Sequence, residues 1–191
     1  MSEQKSKIYD VVIVGAGPSG GQCARLLTQK GHKVLIVDRV RDLSLNNFSS
    51  AGAPLSILEE FELPKSVVAT YWNKLTLVAT NFEKKWISPE DKGVVMDFTK
   101  LRKFLLDEVQ KHHGEVKLGW EYKRHKTLGD GSLEISLYNS INKKIENVVT
   151  DVLVDATGSA RAITGRNDNP KNYVQGIGLE FIVKTKKEID S

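Results

Sequence analysis

Residues 7–39, KIYDVVIVGAGPSGGQCARLLTQKGHKVLIVDR, constrain the fold more than any other stretch of this chain. Ile8 to Val14 is an apolar, β-branched run of strand length, the pattern of a buried parallel strand. Gly15-Ala16-Gly17-Pro18-Ser19-Gly20 follows as a G-x-G-x-x-G. A helix with Ala24, Leu26 and Leu27 on its apolar side is expected next, ending near Gly31. A second apolar run, Val34 to Val37, leads into Asp38. The order is strand, glycine turn, helix, strand, acid: a complete β-α-β unit.

Each position has a chemical reason. Gly15 permits the tight turn out of the strand. Gly17, without a Cβ, lets a pyrophosphate reach the backbone, and Gly20 lets the helix pack closely on the sheet. Pro18 and Ser19 complete the turn where the helix begins. There, unpaired N–H groups and the positive end of the dipole face the phosphates. Asp38 lies 18 residues after Gly20, near the ~20-residue spacing of an acid that accepts hydrogen bonds from a ribose diol. The alternative, a glycine-rich turn in another α/β fold, leaves the three glycines and Asp38 unexplained.

With 191 residues, the chain can bury one good core and a small second layer. Its hydrophobic share of 40% and charged share of 27% are those of a globular protein. The net charge of +4 is mild, and the clusters Lys123–Lys126 and Lys184–Lys187 read as solvated strand ends and tail. No nucleic-acid partner is expected, because no recognition module accompanies them. One cysteine excludes an internal disulfide and fits a reducing compartment. The polar start does not read as a signal peptide, no run reaches a membrane span, and a cytoplasmic location is the expectation.

Beyond Arg39 the pattern breaks. Ala51 to Phe61 is expected as a short helix stopped by Pro64. Short strands at 74–79, 84–87 and 93–98 suggest an antiparallel excursion. A helix capped by Thr99 runs to His113, and Gly114 ends it. Val116 to Leu118 is a parallel strand candidate. Strands at 122–128, 133–138 and 144–149 read as a three-stranded meander, and Asp151 to Asp155 as a buried strand leading into Ala156-Thr157-Gly158. The fold class is therefore α/β: a Rossmann-like domain with a central parallel sheet and an antiparallel β-meander crossover. The domain is expected over 1–172 with an insertion at about 40–98, and 173–191 as the start of an incomplete substrate-domain sheet.

The fingerprint, the Asp38-Arg39 ending and the order of elements resemble the flavoprotein group of geranylgeranyl reductases and aromatic-ring hydroxylases. The resemblance covers the N-terminal, FAD-binding portion of that group. It implies FAD, with its ADP half in the first β-α-β unit. Arg39 corresponds to the basic residue after the group's acid. Tyr122 falls where main-chain groups clasp the adenine. Val152-Leu153-Val154-Asp155-Ala156-Thr157-Gly158 resembles the group's second signature, which brings Asp155 and Gly158 to the cofactor. Ser49-Ser50-Ala51-Gly52-Ala53 resembles the small-residue loop toward the flavin, so Ala51 and Gly52 are candidates. The group's cofactor-contacting arginine is replaced here by Phe98. Arg102, one turn later, is a candidate substitute, its alternative being an ordinary exposed helix residue.

The resemblance implies hydride transfer through the flavin to the C=C bond of an isoprenoid or other small molecule, with NADPH or NADH as electron donor. It also implies peripheral membrane contact in the full-length protein and a C-terminal half beyond this chain. Two alternatives stay open: a flavin monooxygenase-like hydroxylase, and a non-catalytic dinucleotide-binding module. No catalytic triad is evident, the catalytic residues are unassigned, and no metal is expected. Cys23 reads as a buried thiol, and Trp86 and Trp120 as residues that pack on sheets.

Overall fold

The structure, a computed structural model, describes residues 7–46 and 51–165. These residues fall into two compact units, 7–46 with 102–165 and 51–101.

The first unit is built on one six-stranded sheet. Strand β1 (Lys7–Val14) leads through helix α1 (Pro18–Gln29) to β2 (Val34–Asp38). Later come β8 (Glu115–Leu118), β9 (Trp120–Thr127), β10 (Leu133–Asn139) and β11 (Ile145–Asp155). The spatial order is β8-β2-β1-β11-β10-β9. The first four pair in parallel, and β11, β10 and β9 pair antiparallel. This is the expected parallel sheet with its meander.

Alternation along β1 and β2 divides the core into two layers. Tyr9, Val12 and Val14 with Leu35 and Val37 pack against Tyr122, Ile135, Leu137 and Val148 of the meander strands. Val11, Ile13, Val34 and Ile36 face the other way, onto Ala24 of α1 and Leu106 and Val109 of helix α3 (Phe98–Lys111). Both faces of the parallel strands are buried, as their uninterrupted apolar sequence requires.

One boundary inside this unit differs from expectation. The strands expected at 144–149 and 151–155 are one continuous strand of 11 residues. The expected break falls between Val149 and Asp151, but Thr150 is fully buried. Its hydroxyl lies 3.0 Å from the carbonyl oxygens of both Asp10 and Val152, which keeps a polar side chain satisfied inside the sheet.

In the second unit, β3 (Gly52–Pro54), β7 (Gly93–Met96) and β4 (Val68–Trp72) form a three-stranded sheet. Strands β5 (Lys74–Ala79) and β6 (Phe82–Ile87) form a two-stranded ribbon. The helix expected over 51–61 shrinks to α2 (Ile57–Glu60). Ala53 precedes Pro54 and is driven to extended backbone, so the segment pairs with β7 instead. Helix α3 starts one residue earlier than expected. The Asp97 carboxylate, not Thr99, caps it by accepting the Lys100 N–H at 3.0 Å. The segment 173–191 lies outside the described residues, as do Ser49 and Ser50.

Candidate functional site

The fingerprint turn owes its shape to the far end of the chain. Gly15 has φ +108, which disfavours a side chain. A Cβ there would also stand 2.2 Å from the Ala156 carbonyl oxygen. A Cβ on Gly20 would meet the Gly15 carbonyl oxygen at 1.9 Å and the Ala156 methyl at 3.0 Å. The Ala156 N–H in turn donates to Val14 O at 2.8 Å. Gly15 and Gly20 are thus required by the protein's own packing. Gly17 is different: a Cβ there would meet nothing within 4 Å. Pro18 occupies the first turn of α1, where its missing N–H costs nothing.

In front of Gly17 opens a cavity of about 340 Å³, at the small end of the range for ligand pockets. Val14, Gly15 and Gly17 form one wall, Asp38, Arg39 and Val40 another, and Ala156, Thr157 and Gly158 a third. Trp120, Glu121 and Tyr122 also line it, as does Arg102 of α3. Asp38 is rigidly held. Its Oδ2 accepts the Ala16 N–H at 2.7 Å and its Oδ1 the Val40 N–H at 2.8 Å. Each oxygen keeps a second lone pair that can accept from a ligand hydroxyl.

Arg102 is not an exposed helix residue. Only 5% of it is accessible, and its guanidinium donates to the Leu43 carbonyl oxygen. Burial lowers the pKa of the guanidinium, while the Asp38 carboxylate acts in the opposite direction. The cavity thus holds a buried, oriented cation.

The Asp155 carboxylate turns elsewhere. It accepts the Thr157 hydroxyl at 2.6 Å and the Thr157 N–H at 3.1 Å through Oδ1. Through Oδ2 it accepts the N–H groups of Ile163 and Thr164 and the Thr164 hydroxyl, at 2.9–3.0 Å. Burial alone would raise this carboxyl, but those hydrogen bonds outweigh it and hold the group well below the usual carboxylate range. Asp155 organises the loop whose residues Ala156 to Gly158 line the cavity, and is not itself among the lining residues. Pro18, Ser19 and Gly20 also shape the site without lining it. Ala51 and Gly52 belong to the second unit. There the Ala51 carbonyl accepts the Met96 N–H at 3.2 Å and Gly52 pairs with Val95.

Tyr122 lines the cavity, yet its hydroxyl meets His125 Nδ1 at 2.7 Å and its ring belongs to the meander core. Trp120, expected only to pack on a sheet, is one of the lining residues that sequence reasoning missed, with Val40, Glu121, Ala160 and Ala162 among the others. Its distance in sequence from the fingerprint gave no signal. Burial raises the pKa of the Cys23 thiol, which keeps it protonated and unreactive. Among the described residues, no group of three His, Cys, Asp or Glu side chains is placed to hold a metal, and no helix is long and apolar enough to cross a membrane.

The residues present fit the ADP half of a dinucleotide. Open space stands before Gly17 for phosphates, a fixed carboxylate for a ribose diol, and a buried guanidinium for phosphate charge. Comparison with known proteins agrees. The family model for pyridine nucleotide-disulphide oxidoreductases matches residues 9–178. The chain belongs to that family. It is similar to the digeranylgeranylglycerophospholipid reductase of Haloferax volcanii, with 29% identity over 91% of this chain and 42% of the relative. Among solved structures it resembles a geranylgeranyl bacteriochlorophyll reductase-like protein from Thermoplasma acidophilum. The TM-score is 0.71 and the identity 20%, covering 80% of this chain and 40% of that one. A myxobacterial chondrochloren halogenase, described as a variant of FAD-dependent halogenases, follows with TM-score 0.67 and 15% identity, covering 81% and 38%. The resemblance read from the fingerprint and the Ala-Thr-Gly segment therefore holds. The chain spans about two fifths of the length of the curated relative it matches, 42%.

Proposed function

We propose that this chain is the FAD-binding portion of a flavin-dependent reductase whose substrate is the isoprenoid chain of a lipid. The observation that carries the reading is the convergence of Gly17, Asp38, Arg102 and Ala156 to Gly158 on one cavity. The reductase names of the relatives support the substrate class. The cofactor is FAD, which when bound supplies the hydride chemistry. The chain's own residues bind and orient it. The α1 N-terminus and the open face of Gly17 receive the pyrophosphate. Asp38 accepts from the ribose diol, and Arg102 and Arg39 balance phosphate charge. Gly158 lets the backbone approach closely.

For the whole protein we assign NADPH or NADH as electron donor. Peripheral contact with a membrane follows from the lipid substrate, and a cytoplasmic setting from the single cysteine.

The test is spectroscopic. The purified chain, mixed with FAD and passed through gel filtration, is expected to retain flavin absorption. Gly17→Val should abolish retention and leave the circular dichroism unchanged, because no atom beyond its two chain neighbours lies within 4 Å of the added Cβ. A colourless chain after FAD addition, or unchanged retention in the variant, overturns the reading.

A further inference from the structure

Strands β5 and β6 are exposed along their whole length, and their register sorts the side chains onto two unlike faces. Leu75 stands opposite Trp86, Leu77 opposite Lys84, and Ala79 opposite Phe82. Opposed residues share a face, and neighbours along a strand alternate. These six side chains therefore lie together, and five of them are apolar. The rungs between them, such as Thr76 with Lys85 and Val78 with Glu83, form the other, mixed face. Leu75, Leu77, Phe82 and Trp86 are between 43% and 55% exposed. Single exposed apolar residues need no explanation, but a contiguous group of this kind marks a contact surface.

Charge selects the partner. The apolar face carries one charged residue, Lys84, and no carboxylate. Lys84 Nζ lies 5.0 Å from the centroid of the Trp86 ring. The whole ribbon holds three lysines, Lys74, Lys84 and Lys85, against one glutamate, Glu83. A second copy laid on this face would bring lysine and apolar side chains but no carboxylate to pair with Lys84. A bilayer with anionic headgroups complements both features. Its acyl boundary accepts the leucines and the phenylalanine. Tryptophan favours the interface, where its ring is in apolar surroundings and its N–H is wet. Lys84 can lay its stem along apolar surface and extend its charge to a headgroup. Amphipathic helices that lie on membranes divide their residues in the same way.

We propose that the face carrying Leu75, Leu77, Phe82 and Trp86 is a membrane-docking surface that takes the anionic headgroups and upper acyl region of a lipid bilayer. The choice of occupant rests on the lipid-substrate reading above. The ribbon supplies none of the residues that line the fingerprint cavity, so the two can be tested apart.

The 191-residue chain, mixed with FAD, is sedimented with vesicles of phosphatidylglycerol and phosphatidylcholine in equal parts, and with vesicles of phosphatidylcholine alone. Binding to the anionic vesicles is expected, and roughly tenfold weaker binding to the neutral ones. Tryptophan emission should move to shorter wavelength on binding, and Trp86→Phe should remove most of that shift. Leu77→Gln should weaken binding roughly tenfold, whereas Val78→Gln, the adjacent residue on the other face, should leave it unchanged. Lys84→Gln should weaken it roughly fivefold. All of these positions are exposed, so the variants are expected to fold. No sedimentation with anionic vesicles, equal losses in Leu77→Gln and Val78→Gln, or an emission shift that persists in Trp86→Phe overturns the docking surface. A dimer in gel filtration that Leu77→Gln dissolves, with no vesicle binding, assigns the face to a second copy and also overturns it. Each of these results leaves the FAD reading standing, because flavin retention by the same preparation decides that separately. A chain that binds vesicles as described but retains no flavin supports the surface and overturns the cofactor reading.

Discussion

The parallel strands of the first unit and the β5–β6 ribbon of the second use similar residues to opposite ends. Val12, Ile13, Leu35, Ile36 and Val37 are fully buried. Leu75, Leu77, Val78, Phe82, Trp86 and Ile87 are between 43% and 69% exposed. Among the described residues, β5 and β6 pair only with each other. A ribbon of two strands gains little from its own apolar side chains. The difference shows that apolar content does not locate the core here. Coverage on both faces does, and the parallel strands of the first unit have it where the β5–β6 ribbon does not.

The comparison can be broken most forcefully at Gly20. Gly20→Val places a Cβ 1.9 Å from a backbone oxygen, so a loss of about 4 kcal/mol or more is expected, read as collapse of the thermal transition. The contrasting variant Gly17→Val should fold normally, which separates a glycine held by protein from one facing a ligand. Next, Leu35→Ala in the buried strand should cost about 3 kcal/mol, measured by urea denaturation. Val37→Ala would report the same layer with a smaller deletion.

An intermediate effect is expected from Asp155→Asn. Losing the charge on an acceptor of several hydrogen bonds should cost about 1–2 kcal/mol. The carboxyl of Asp155 is depressed in the folded state. Its stabilisation is therefore complete above the unfolded carboxylate value of about 3.9 and is lost as pH falls below it. The unaltered chain should lose stability through that acid range, and the variant should show a flatter profile there. Equal slopes would remove Asp155 from the account. The smallest effect belongs to Leu77→Ala on the ribbon, expected within about 0.5 kcal/mol. A cost like that of Leu35→Ala would erase the contrast between the two regions.

Much of the first unit was legible because local and long-range signals agree there. The β1-α1-β2 unit, its glycines and Asp38 carry meaning within forty residues, and the apolar runs were too continuous for surface strands. What was not legible depended on partners far away. Thr150 reads as a gap between two strands until its hydroxyl finds the Asp10 carbonyl. Arg102 reads as an exposed helix residue until Leu43 and Asp38 surround it. Trp120 gains its place through Gly119 and Val40, on separate elements. In the second unit, Val68–Trp72 was missed as a strand and 51–61 was read as helix. Alternation is weak in both segments, and pairing with β7 decides their conformation.

The contact of Gly15 and Gly20 with Ala156 sets a timetable. Strand β1 pairs with β11, with Val14 opposite Asp155, so the fingerprint turn is buttressed only when a segment some 140 residues later has docked, as in the Asp10–Thr150 bond with its separation of 140. A nascent chain that has emerged only through Arg39 carries the whole fingerprint and still lacks one wall of its pocket. Contacts of such long separation form late, because loop closure opposes them. The cavity is therefore completed only once Ala156 has left the ribosome, and a chain stopped short of it has the motif without that wall.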